Sequence, residues 1–186
     1  MIKTKEDLKY YLKQDESRFP DKHNKWLDII YNNERRIILK QIRMLRHYEF
    51  YYNNRTGIMN NLLYRYYNIR YTRLMNKNGM HIHPNVFGPG LYVPHIGKIF
   101  VPYHARFGSN CTIRPGLLVV TNLGVSNSKR ITLTVGDNVE FSEGCKVLCK
   151  KIGNNVIVGP NCVLMKNVPD NTTVYVDFPK MLSRNI

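Results

Sequence analysis

Four of the chain's six histidines, His81, His83, His95 and His104, crowd into one short stretch, and imidazole is the side chain best suited to moving a proton near neutral pH. A neutral imidazole beside a hydroxyl can take its proton as the oxygen attacks an electrophile, then return it to the leaving group. Each histidine also has a plainer reading, as a corner or turn residue packed against its neighbours. The four cysteines, Cys111, Cys145, Cys149 and Cys162, have neither the C-x-x-C spacing of a zinc site nor the density of a disulfide scaffold. They are expected to be small buried residues, with no metal in the chemistry. Asp15 reads first as an exposed charge at a helix end.

The elements that must position these groups change character at Asn78-Gly79. Beyond it the helical period gives way to units of about six residues, opened by Val135, Phe141, Val147, Ile152, Val158 and Leu164. Phe107, Ile113 and Val119 open earlier units in the same phase. Gly or another small residue often follows the opener, and a small or β-branched residue recurs four places after it. Repeats of fixed short period stack, each burying the apolar face that its neighbour cannot cover alone. Asn, Asp and Gly in the second to fourth places suit sharp corners between short strands. The pattern predicts a mainly β chain, a left-handed parallel β-helix of hexapeptide repeats with three units to a coil and an N-terminal α-helical cap. An antiparallel sandwich would need two-residue alternation and regular hairpin turns, which are missing. One unit, 147–151, has five residues, and the polar stretch 123–134 reads as a loop thrown out of the coil.

Residues 1–78 form the predicted helical region, 79–180 the β-helix and 181–186 a tail. In the helical region Trp26, Ile29 and Ile30, then Ile37, Ile38, Ile42 and Leu45, recur at three- and four-residue steps, and a second periodic stretch runs from Ile58 to about Met75. Thr4 with Asp7 marks a helix start, and residues 53–57 punctuate the boundary between the two longer helices. Both halves are basic, with 17 Lys and Arg against 8 Asp and Glu in residues 1–80 and 11 against 5 in the remainder. Such an excess favours anionic partners: phosphates, lipid headgroups or acidic saccharides. No helix-turn-helix, RNP or KH pattern accompanies the charge, so nucleic acid is not expected. The charged N-terminus has no apolar core of a signal peptide, and no run of about 18 apolar residues occurs, so a cytoplasmic protein is expected. A peripheral membrane contact is compatible with the basic, tyrosine-rich helices.

Taken in order, His83-Pro84, Gly88-Pro89-Gly90, Pro94-His95, Ile99-Phe100-Val101, the hexapeptide run and Val168-Pro169 resemble the serine acetyltransferase family and its polysaccharide-biosynthesis relatives. The resemblance covers about residues 79–180. It implies acetyl-CoA as acyl donor, His95 as general base, and a homotrimer or dimer of trimers with active sites between subunits. It implies that the CoA pantetheine lies in a groove between neighbouring coils. Thr121 and Asn122 would stand at the groove's entrance, with Gly124 opening the loop and Ser142 and Pro160 at its small-residue positions. Lys129, Arg130, Lys150, Lys151 and Lys180 are the cations expected to meet CoA phosphates. His81, His83 and Asp15 are the candidates for binding the acceptor.

The departures from the family pattern fall on the acceptor side. The family usually carries an aspartate where this chain has His81 and another where it has Pro94; its second histidine, in a later segment, aligns near Thr132. The first aspartate orients the base, so His95 needs another partner; a backbone carbonyl, His81 or Glu143 of a neighbouring subunit are the options the sequence offers. These losses point away from free serine and towards a sugar hydroxyl in polysaccharide biosynthesis. Serine O-acetylation and a non-catalytic β-helix scaffold are the alternatives.

Overall fold

The computed structural model describes residues 1–20, 30–120 and 133–177. Helix α1 (Lys5–Ser17) begins at a reciprocal cap: the Asp7 N–H donates to Thr4 Oγ1 at 3.0 Å, and the Thr4 N–H donates to Asp7 Oδ2 at 2.9 Å. Helix α2 (Glu34–Asn53) starts from Asn33, whose side chain accepts the Arg36 N–H. Helix α3 (Gly57–Asn78) closes at Gly79, where φ is +71° and a left-handed cap turns the chain into the first strand. Trp26 and Ile29 of the predicted helical stripe lie outside the described residues.

Strands β1 (Met80–Ile82), β2 (Ile99–Val101), β3 (Ala105–Phe107), β4 (Thr112–Ile113), β5 (Leu118–Val119) and β6 (Leu133–Val135) begin the second region. They are followed by β7 (Glu140–Phe141), β8 (Lys146–Val147), β9 (Lys151–Ile152), β10 (Ile157–Val158), β11 (Val163–Leu164) and β12 (Thr173–Val174). Every described strand pair is parallel, and the strands sort into three sheets, ordered β1-β2-β5-β8-β11, β3-β6-β9 and β4-β7-β10-β12. The chain visits the sheets in rotation, so each circuit is one coil of a three-faced prism. This is a left-handed parallel β-helix under a helical cap.

The repeat openers Val135, Phe141, Val147, Ile152, Val158 and Leu164 all point into the prism and are buried, as are Val139, Cys145, Val156 and Cys162 four places after their openers. Each such aliphatic or aromatic side chain contributes on the order of 1.5–3 kcal/mol by leaving water. In the short unit the N–H groups of Leu148 and Cys149 both donate to Leu164 O, at 2.8 and 3.0 Å, and buried Cys149 fills the interior. All four cysteines are buried and free.

The corners are built as the residue types require. Asn110, Asn138, Asn155 and Asn171 adopt φ of +54 to +58° and stack as a ladder of side-chain amides linked at 3.3, 3.1 and 2.9 Å. Beside that ladder Gly136 has no room for a side chain, since an added methyl would stand 2.8 Å from both Asn154 N and the Gly153 carbonyl carbon. Gly136→Ala is therefore expected to force the coils apart and cost about 1–3 kcal/mol, read as a fall of several degrees in Tm. An unchanged Tm would mean that the corner can spread freely.

Candidate active site

His95 sits in the turn that carries the chain from buried Val93 into β2, at the edge of the five-stranded sheet. Three further turns stack beneath it. The Gly116 N–H donates to Lys98 O at 2.7 Å, the Gly144 N–H to Pro115 O at 2.9 Å, and the Asn161 N–H to Glu143 O at 2.8 Å. Ser142 and Pro160 belong to this same column of turns. The side chain of His95 is 61% exposed, so it reaches out of the prism and plays no part in the core.

Its partner comes from the helical cap. Glu34, the first residue of α2, places Oε2 3.1 Å from His95 Nδ1 and accepts the Ile96 N–H on Oε1 at 2.6 Å. One carboxylate thus fixes both the imidazole and the backbone behind it. An ionised carboxylate can only accept, so in the neutral ring Nδ1 carries the proton and Nε2 keeps its lone pair. The Glu34 carboxyl is held below the ordinary glutamate range, first by the Ile96 N–H and then by His95. The N-terminal end of α2 favours the same charge.

Within one chain neither His81 nor Glu143 takes the orienting role. Glu143, two turns down the column, pairs with Arg114 at 3.4 Å, and Arg114 reaches Glu140 at 2.7 Å. The Glu143 carboxyl is lowered first by its own backbone N–H, with Arg114 and then His95 contributing. His81 lies on β1 in register with Phe100. His83 follows β1 at the opposite edge of that sheet from His95, with its ring 5.7 Å from Tyr103, and burial pushes its imidazole pKa down. Lys150 and Lys151 stand at that far edge too, where the chain leaves β8 for β9. Within one chain the described hydrogen-bond partner of the His95 ring is Glu34, and not His81, His83, Lys150 or Lys151.

Asp15 requires a correction. It is neither an exposed helix-end charge nor open to an acceptor, because it is 2% exposed and its carboxylate is fully engaged. Oδ1 accepts the N–H groups of Gly90 and Leu91, both at 2.8 Å, while Oδ2 accepts Arg46 Nε at 2.7 Å. Thr121, Asn122, Gly124, Lys129, Arg130 and Lys180, like the 181–186 tail, lie outside the described residues. Among the described residues, no group of three or more His, Cys, Asp or Glu is placed to hold a metal ion, and no helix is long and apolar enough to cross a membrane.

The fold and site define a left-handed β-helix protein with an imidazole–carboxylate pair at one corner of the prism. No protein-family model matches the chain. Curated relatives include serine acetyltransferases of Staphylococcus aureus and Staphylococcus epidermidis, each 35% identical over 98 residues, which is 52% of this chain and 45% of the relative. The chain therefore spans less than half the length of these relatives. Among solved structures, serine acetyltransferase 1 of Entamoeba histolytica in complex with L-cysteine aligns over 92% of this chain and 62% of its own, with a TM-score of 0.65 and 22% identity. The Neisseria gonorrhoeae serine acetyltransferase in complex with serine gives a TM-score of 0.65 at 22% identity, over 96% of this chain and 68% of its own. Soybean serine acetyltransferase complexed with serine gives 0.68 at 19%, over 90% and 66%. At these identities the structural likeness establishes the fold.

Proposed function

We propose that the chain is an acetyl-CoA-dependent O-acetyltransferase in which His95 is the general base and Glu34 its positioning residue. The observation that carries this reading is the two-point grip of Glu34 on His95 and Ile96. It leaves Nε2 unengaged by Glu34 on an exposed ring, above a column of turns that includes Gly116, Ser142, Gly144 and Pro160. His95 Nε2 takes the proton of the acceptor hydroxyl as that oxygen attacks the thioester carbonyl. The tetrahedral intermediate then collapses, the carbon–sulfur bond breaks, and the imidazolium returns its proton to the CoA thiolate. Ser142 and Pro160, in the column beneath His95, would line the pantetheine groove.

The comparisons favour serine as acceptor over the sugar hydroxyl expected from the sequence, since the relatives are serine acetyltransferases and two of the solved neighbours are complexes with serine. Two observations support the sugar reading: His81 and Pro94 stand where the family resemblance implies aspartates, and the Asp15 carboxylate is already filled by Arg46 and backbone. A cytoplasmic homotrimer completes the proposal. Phe100 and Leu118 are register neighbours exposed on the outer face of the five-stranded sheet, with Lys146 next and exposed Val163 beyond it, and a second copy would cover this face. Packing of that kind would bring far-edge residues such as His83, Lys150 and Lys151 of one copy towards the His95 corner of the next.

The direct test is thiol release from acetyl-CoA with serine and with a panel of sugars and nucleotide sugars. Serine turnover supports the first acceptor, turnover of a sugar alone supports the second, and failure to bind CoA by calorimetry would leave a scaffold. For the positioning role, Glu34→Gln is expected to lower kcat about 10–100-fold while KM for acetyl-CoA stays within about twofold. An unchanged kcat would remove Glu34 from the mechanism.

The sign of its pH dependence follows from the lowered carboxyl. The stabilisation that Glu34 gives the turn is complete above the unfolded-state value near 4.5 and is lost only as pH falls through the lower folded value. A loss of activity between pH 8 and 5 would then belong to another group.

A further inference from the structure

Helix α3 carries apolar side chains on its exposed face as well as on the face packed against α2. Three of its tyrosines face inward, with Tyr67 stacked on His47 and Tyr51 at 5.0 and 5.2 Å, and Tyr64 and Tyr71 each 5.8 Å from Tyr48. Leu63, Leu74 and Met75 are half-buried, but four other aliphatic residues face out. Ile58 is 83% exposed, Met59 68%, Leu62 56% and Ile69 53%, with Tyr66 at 48% on the same side. At 3.6 residues per turn these five fall within an arc of about 100°, along roughly 16 Å of helix. Arg65 and Arg70 lie just outside the two edges of the arc, and Arg73 and Lys77 continue it towards the C-terminal end. The helix contains no Asp or Glu.

We propose that this face of α3 docks on an anionic lipid surface, with Ile58, Leu62 and Ile69 entering the headgroup boundary and Arg65, Arg70 and Arg73 meeting lipid phosphates. Apolar side chains exposed to this degree, bordered on both sides by arginine, form the pattern of a helix lying in the plane of a membrane interface. Charge selects the occupant. A second copy of the same face would set arginines against arginines with no carboxylate on either helix, whereas an anionic surface supplies the missing partner for each. The stacked tyrosines hold the face rigidly on α2, so docking requires no refolding of the cap. The inference does not depend on the chemistry at His95.

Sedimentation of the full chain with vesicles tests it. Binding is expected to vesicles containing about one-third phosphatidylglycerol and not to phosphatidylcholine alone, and it should weaken as salt is raised. Leu62→Asp with Ile69→Asp, and separately Arg65→Gln with Arg70→Gln and Arg73→Gln, are each expected to weaken binding tenfold or more. These side chains are exposed, so circular dichroism should stay unchanged. A control that removes the same charge from α1, Lys5→Gln with Lys9→Gln and Lys13→Gln, should bind within about twofold of the parent. Equal loss in the control would reduce the effect to the general positive charge of the protein and overturn the proposal. So would absence of vesicle binding in the parent, or α3 variants that keep lipid binding but lose an oligomer by light scattering, which would assign the face to a second copy.

Discussion

His95→Ala is expected to abolish thiol release from acetyl-CoA with the productive acceptor, a fall of about 10²–10⁴-fold in kcat, while the protein stays folded. The expectation rests on geometry. The imidazole is outside the core, so its loss opens no cavity, and Val93 and Ile99 on either side remain buried. Its only described anchor is Glu34. Calorimetry separates the roles: a base is needed for transfer and not for holding the donor, so His95→Ala should bind acetyl-CoA within a few-fold of the parent. Activity that survives the substitution would require another proton acceptor and would remove the proposed mechanism. Loss of both binding and activity would instead place His95 among the groups that hold the donor.

Arg46→Met is expected to be the most destabilising single change, at about 3–5 kcal/mol, a large part of the 5–15 kcal/mol typical of a folded domain. Arg46 is fully buried and every N–H of its guanidinium has a partner. Nε and one Nη2 proton reach the two Asp15 oxygens at 2.7 and 3.2 Å, Nη1 reaches Glu49 Oε2 at 2.9 Å and Phe87 O at 3.0 Å, and Nη2 reaches Gly88 O at 2.7 Å. Glu49 in turn accepts the Asn85 N–H at 2.8 Å. One cation therefore ties α1 and α2 to the first coil of the prism. Burial raises the Glu49 carboxyl, and two flanking carboxylates raise the Arg46 guanidinium.

Methionine would fill much of the volume yet strand two carboxylates and two carbonyls away from water. Urea denaturation of the parent and variant measures the cost. A difference under about 1 kcal/mol would mean that water enters and replaces the guanidinium. Because the cap holds Glu34 on His95, Arg46→Met should also lower activity at temperatures where the chain is still folded.

The short period of the coil made its architecture readable in the chain. A residue that opens a hexapeptide faces the interior because of where it stands in its own six residues, so Val135, Phe141 and Val158 could be assigned without knowing what lies across the prism. Turn preferences are equally local, and Asn110, Asn138 and Asn155 took the left-handed conformations that their type tolerates. His95 lies before the readable units, and only the family resemblance singled it out. Tertiary structure alone decided what that histidine meets. Glu34 is 61 residues earlier in the chain, in a helix whose own pattern gives no sign of it, and its contact exists only because α2 docks on the first coil. Asp15 was misread for a related reason. Its charge suggests water, but the buried Arg46 and the N–H groups of Gly90 and Leu91 offer it a better-satisfied site. Local spacing fixes which way a side chain faces in a repeat; partners brought from distant segments depend on how the cap and prism pack, and no short window of sequence contains that contact.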